Sequence, residues 1–140
     1  MILYLGTSSL AKLYVEEKYS DVVRDWVEKA EIVATCRVAY TEMISALELK
    51  VKQNDLSRND YDLIMKRFGQ DWLNFAIVDF DEREAGGLVK KYGLTRFAAI
   101  HLSAAKLIKK DSHDISVSFS SVDEKLRKAA LTEGLKVLYF

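Results

Sequence analysis

Two acids in this chain stand where a carboxylate can do more than solvate a surface. Glu42 lies near the start of a long helical segment, in Val38-Ala-Tyr-Thr-Glu42-Met43, and Asp123 follows an apolar strand, in Ser120-Ser-Val-Asp123. In an open α/β sheet, the segments that leave the carboxyl ends of the strands line the binding crevice. Carboxylates gathered there supply the oxygen ligands that a hard cation such as Mg²⁺ takes while it keeps several waters. A plainer account exists for each: an acid in the first turn of a helix offsets the macrodipole by about 0.3–1 kcal/mol. Spacing alone favours the plainer account for both.

Other chemical signals are weaker. Asp79-Phe-Asp-Glu-Arg-Glu84 resembles the opening of a calcium loop, but Glu84 and Lys90 stand where that loop needs Gly and Glu. The cluster reads as helix N-terminal acids. His101 falls in an apolar helical stretch and His113 in a polar one, and neither has a zinc-spaced Cys or His partner or a nucleophile elbow beside it. His101 is therefore expected in the core, or behind a site residue that it supports, and His113 in solvent. Gly6 is followed by no Gly-Lys-Ser/Thr, so there is no phosphate loop. Lys90, Lys91, Lys106, Lys109 and Lys110 sit at helix ends, where cations complement the dipole. A phosphate-contacting rim is the sharper reading, and it requires Arg37 and Arg96 to lie nearby.

The elements that must position these residues follow from periodicity. Strands are expected at Met1–Leu5, Ile32–Thr35, Phe75–Phe80, Ile115–Phe119 and Lys136–Tyr139. The Thr7-Ser8-Ser9 run offers hydroxyl caps for a helix through Tyr14, and Ser20-Asp21 opens a second. Further helices are expected over Val38–Lys52, Asn59–Trp72 with Ser57 as cap, Glu82–Tyr92, Phe97–Lys109 and Asp123–Glu133, with Gly93 and Gly134 as stops. Strands alternating with helices of ten or more residues imply a mostly parallel sheet of about five strands covered on both faces.

Composition bounds the remainder. The 140 residues make one domain, 1–140, with no linker or repeat, and 49% of them are hydrophobic. Lys plus Arg and Asp plus Glu both count 21, so the chain is not a non-specific nucleic-acid coat, which needs a basic balance. A single cysteine, Cys36, permits no intrachain disulfide and fits a reducing compartment. No apolar run approaches the roughly 20 residues of a membrane span, and no signal peptide is visible. The expectation is a soluble, cytoplasmic protein.

Several stretches together resemble PIN-domain proteins of the VapC type, the toxin half of a toxin–antitoxin pair. They are Met1-Ile-Leu-Tyr-Leu-Gly-Thr-Ser-Ser-Leu-Ala-Lys-Leu-Tyr14, Val38-Ala-Tyr-Thr-Glu42, Tyr92-Gly-Leu-Thr-Arg-Phe-Ala-Ala-Ile-His-Leu102, Phe119-Ser-Ser-Val-Asp-Glu-Lys-Leu126, Ala129-Ala130 and Glu133-Gly-Leu135. Each is weak alone, and the set is specific. The resemblance implies a three-layer PIN-like α/β/α fold and a Mg²⁺- or Mn²⁺-dependent endoribonuclease whose cation organises the phosphate and activates water. It further implies a homodimer, a cognate antitoxin laid across the groove, and RNA as substrate. By the same resemblance Glu42 and Asp123 are metal-site acids, Thr7 is the hydroxyl beside the first acid position, and Ser121 is the hydroxyl two residues before Asp123.

The resemblance also exposes two departures. Such proteins carry Asp where this chain has Gly6, and a second Asp where it has Ala98. Four converging carboxylates become two, so cation binding is expected to be weak or absent and the nuclease inactive or impaired. The alternative is a non-catalytic binding module that dimerises and sequesters antitoxin or RNA. Trp26, Tyr14, Trp72 and Phe68 are candidate anchors for such surfaces, against the plainer expectation that they pack helices on the sheet.

Overall fold

The computed structural model describes all of residues 1–140. Its strands are β1 (Ile2–Leu5), β2 (Ile32–Cys36), β3 (Ala76–Val78), β4 (Val117–Ser120) and β5 (Lys136–Val137). Between them run α1 (Thr7–Ala11), α2 (Ser20–Lys29), α3 (Val38–Lys52), α4 (Arg58–Trp72), α5 (Glu82–Tyr92), α6 (Arg96–Asp111) and α7 (Glu124–Thr132). The five strands form one sheet in the order β3-β2-β1-β4-β5, and every pairing is parallel.

This order follows from where the apolar residues point. β1 is apolar at every position and at most 5% exposed, as a central strand covered on both faces must be. Its alternate residues feed two cores. Ile2 and Tyr4 join Phe119, Leu102 and Leu126 under α5, α6 and α7. Leu3 and Leu5 join Leu10, Val23, Met43, Leu47 and Phe68 under α1–α4. Burying each such aliphatic side chain contributes about 1.5–3 kcal/mol. The fold is thus the three-layer α/β/α arrangement expected, with the sheet wholly parallel. No helix is long and apolar enough to cross a membrane.

Crossovers β1→β2 and β2→β3 lay their helices on one face. The chain then passes from β3 to the far side of β1, forming β4 with α5 and α6 on the opposite face. The strand order therefore reverses between β1 and β4. At such a switch point the connections leave in opposite directions and open a crevice at the carboxyl ends.

Capping fixes several helix starts. The side chains of Ser57, Asp81 and Asp123 accept backbone N–H bonds at the starts of α4, α5 and α7. Gly93, at φ +66°, ends α5 in the left-handed region, where glycine carries no side-chain penalty. At α1 the expectation fails. Gly6 is the N-cap, no side chain caps, and regular helix ends at Ala11 rather than Tyr14. The edge strand β3 is shorter than the apolar run around it, because Phe75 packs into one core and Phe80 into the other.

The aromatic residues weighed as partner anchors are structural. Phe68 is fully buried, and Tyr14, Tyr40 and Trp72 pack around it at ring-centroid distances of 5.3–5.5 Å. Trp26 packs against Phe140. Tyr14, Trp26 and Trp72 are partly buried against the α1–α4 core, which Phe68 fills.

Candidate functional site

Four segments converge at the switch point. After β1 come Gly6, Thr7 and Ser8; after β4 come Ser121, Val122 and Asp123. Glu42 reaches in from one turn inside α3, and Ala98 and His101 from the first turns of α6. All of these residues line one cavity of about 200 Å³. Thr7, Glu42 and Phe97 also border a groove of about 670 Å³, whose other walls include Val38, Ala46 and Leu49. The fold thus brings Thr7, Glu42, Ser121 and Asp123 together with Gly6 and Ala98. Neither space is lined by a lysine or an arginine.

Glu42 is held firmly. Its Oε1 accepts from Thr7 Oγ1 at 2.7 Å and from His101 Nε2 at 2.7 Å. Behind His101, the Tyr4 hydroxyl lies 2.6 Å from Nδ1, and both Tyr4 and His101 are buried. Burial pushes the Glu42 carboxyl up, but the hydrogen bonds it accepts from His101 and from the Thr7 hydroxyl together outweigh it. The carboxyl ends below the usual range for glutamate. Tyr4 lies well above the ordinary tyrosine value, chiefly through desolvation.

Asp123 is committed differently. Its Oδ1 accepts from the backbone N–H groups of Lys125, at 3.0 Å, and Leu126, at 3.2 Å, as the cap of α7. Ser121 Oγ accepts from the Asp123 N–H at 3.1 Å and braces that turn. The hydroxyls after β1 serve tertiary contacts rather than a cap. Thr7 holds Glu42, Ser8 Oγ accepts from Val122 N at 3.2 Å, and Ser9 Oγ meets Ser120 Oγ at 2.7 Å.

A nucleophile–histidine–acid relay needs its hydroxyl and its carboxylate on opposite ring nitrogens. Here both Thr7, at 3.0 Å, and Glu42 meet Nε2, so the cluster is not such a relay. Nor do the residues fit the metal centre that the sequence resemblance implies. No group of three or more His, Cys, Asp or Glu side chains is arranged to hold a metal ion. The cavity supplies two carboxylates, each with one oxygen already engaged, while Gly6 and Ala98 provide no donor.

The basic rim is not assembled either. Lys106 pairs with Glu84 and Glu133, Lys91 with Glu133, and Arg37 with Asp79. Lys106 also lies ten residues along α6 from Arg96, about 15 Å from the cavity end at 1.5 Å per residue. Lys91 and Lys106 are thus engaged by acids of neighbouring helices. Asp81 likewise caps α5, accepting from the Arg83 and Glu84 N–H groups.

The sequence reading put His101 in the core or behind a site residue, and the structure buries it against Glu42; its link to Tyr4 was missed. The signal was available in principle: a tyrosine inside a strand buried on both faces must find a partner for its hydroxyl. His101 was the polar side chain offered by the apolar helix above it.

A scan against protein-family models and a search of curated proteins both find no match. Among solved structures, the chain is similar to PAE2754 from Pyrobaculum aerophilum, at 15% identity and a TM-score of 0.63, covering 97% of this chain and 82% of that one. It is also similar to FitAcB from Neisseria gonorrhoeae, at 18% identity and a TM-score of 0.62, covering 99% of this chain and 97% of that one. At these identities the likeness shows a shared fold, the PIN-like α/β/α sandwich.

Proposed function

We propose that this chain is a VapC-like PIN-domain protein, the toxin-type member of a toxin–antitoxin pair, whose metal-dependent endoribonuclease chemistry is lost or impaired. The fold and the sequence motifs support the lineage. One observation carries the loss: at the switch point, Gly6 and Ala98 face the cavity in the two places where the resemblance calls for acids, beside Glu42 and Asp123. Without a bound cation the cavity holds two carboxylates and no basic side chain, an arrangement that repels a phosphodiester rather than binding it. Incubation with structured and single-stranded RNA in Mn²⁺ tests this. The expected outcome is no specific cleavage, and cleavage abolished by Glu42→Gln overturns it.

The second reading, a binding module for an antitoxin in the cytoplasm, is favoured by the groove beside the cavity. Its walls are largely apolar, and Leu49 and Phe97 stay 54% and 42% exposed there. Exposed large apolar side chains grouped at a concave surface mark an interaction site more often than an isolated one does. A cognate antitoxin segment that binds the wild type, and binds Leu49→Asp at least tenfold more weakly, supports this reading. Equal affinities for the two proteins refute it.

A further inference from the structure

Glu42 carries an ordered charge with no cation in place to order it, and the residues behind it account for that order. Two donors converge on Oε1, namely Thr7 Oγ1 and His101 Nε2, both at 2.7 Å. Oε2 has no partner in the chain and is not among the buried unpartnered atoms, so it is the oxygen open to the cavity. The neutral ring satisfies both of its contacts when the hydrogen sits on Nε2, which donates to the carboxylate at 2.7 Å, while Nδ1 accepts from a hydroxyl. Nδ1 then has a lone pair, and the only group beside it is the Tyr4 hydroxyl at 2.6 Å. Tyr4 is fully buried, stacked on Phe119 at 5.5 Å with an interplanar angle of 6°. Its ring therefore cannot swing to another acceptor without breaking the core under α6.

We propose that Tyr4 is the positioning residue of this site: by donating to Nδ1 it fixes His101 in the Nε2–H tautomer, and His101 in turn fixes Glu42 with one oxygen held and the other offered to the cavity. The line runs Tyr4 O–H to Nδ1, then Nε2–H to Oε1, linking β1, α6 and α3. Each donor in it has an acceptor and each acceptor a donor, as a buried polar chain requires. Removing the Tyr4 hydroxyl leaves Nδ1 with no donor and takes away one of the two contacts that select this tautomer, the other being Glu42 at Nε2. With the hydrogen on Nδ1, Nε2 presents a lone pair to the carboxylate and the pair repels. This arrangement orders the carboxylate through the protein alone, whether or not the chain cuts RNA.

The titratable groups facing the line are Glu42 on α3, His101 on α6, Tyr4 on β1, Cys36 at the end of β2, and Asp123 across the cavity. The experiment is ¹⁵N imidazole NMR of His101 together with ¹³C-carboxyl titration of Glu42, on the wild type and on Tyr4→Phe. The wild type is expected to show a protonated Nε2 and a bare Nδ1. In Tyr4→Phe the two nitrogen shifts are expected to converge as the tautomers mix, and the Glu42 midpoint to move upward. A wild-type spectrum with the hydrogen on Nδ1 overturns the proposal without any variant, which covers the case in which Tyr4→Phe fails to fold. A folded Tyr4→Phe with unchanged tautomer and unchanged midpoint overturns it as well. Neither readout depends on cleavage or on an antitoxin, so failure here is separable from failure of the proposed function.

Discussion

Glu42 shows how one residue can satisfy two descriptions. Its position is that of a site acid at a crevice, yet its Oε1 is engaged by His101 and Thr7. Those bonds make it a bolt between α1, α3 and α6. The linkage has a definite sign. A carboxyl whose folded value lies below its unfolded value of about 4.3 contributes stability above that pH, and loses it as pH falls through the folded value. Thr7→Val removes one donor to a charged acceptor. With the Glu42 side chain still 20% exposed, it should cost about 1.5 kcal/mol at pH 7. The deficit should shrink as pH falls below the unfolded carboxyl value of about 4.3 and towards the lower folded one; urea unfolding at pH 7 and in acid measures both. A deficit that does not change with pH would mean that the hydroxyl acts through packing alone.

At the scale of elements, legibility in the sequence tracked whether a residue's local role agreed with its tertiary one. The bounds of α3, Val38–Lys52, and α5, Glu82–Tyr92, came out as expected, since apolar period, the Asp81 cap and Gly93 all agree. Thr7, Ser8 and Ser9 misled because a hydroxyl before a helix looks like a cap, and here all three are used to tie β1's exit to α3 and β4. Asp123 proves to be both a cavity residue and a cap, and substitution separates the two roles. Asp123→Asn keeps a capping oxygen and should hold stability, whereas Asp123→Ala should lose about 1 kcal/mol. Equal losses in thermal unfolding would show that the charge, not the cap, stabilises α7.

A second tie joins the helices of the other face. Glu133, at the end of α7, accepts from Lys106 at 2.6 Å on α6 and from Lys91 at 2.9 Å on α5, with Tyr92 as a third donor. Those bonds hold its carboxyl down at about 2. Because that value lies below the unfolded one of about 4.3, the stability it confers is present at neutral pH and fades as pH falls from about 5 towards 2. Glu133→Gln should therefore be less stable than wild type at pH 7, with the gap narrowing on acidification in chemical unfolding. A constant gap from pH 7 to pH 3 would count against the charge-based account.

For the whole molecule, the layered parallel sheet was legible because β1 is apolar throughout and the strands alternate with helices. The strand order was not, since it depends on the crossing from β3 to the far side of β1, which no local pattern records. That crossing creates the crevice, and it gathers Glu42 and Asp123, 81 residues apart in sequence, into one cavity lined also by Gly6 and Ala98. At Gly6 the backbone leaves room for the acid that the resemblance calls for. Gly6 has φ −67° and ψ 161°, open to any L-residue, and a Cβ there would meet Ser120 O at 3.3 Å, a crowding that a shift of a few tenths of an ångström relieves.

The central proposal, that this crevice does not hold a cation, is tested most directly by calorimetric titration of Mn²⁺ into the wild type and into Gly6→Asp/Ala98→Asp. The account predicts no saturable heat from the wild type and binding in the double variant, because four carboxylates again converge. Saturable binding of equal strength in both proteins would contradict it, showing that Glu42 and Asp123 suffice.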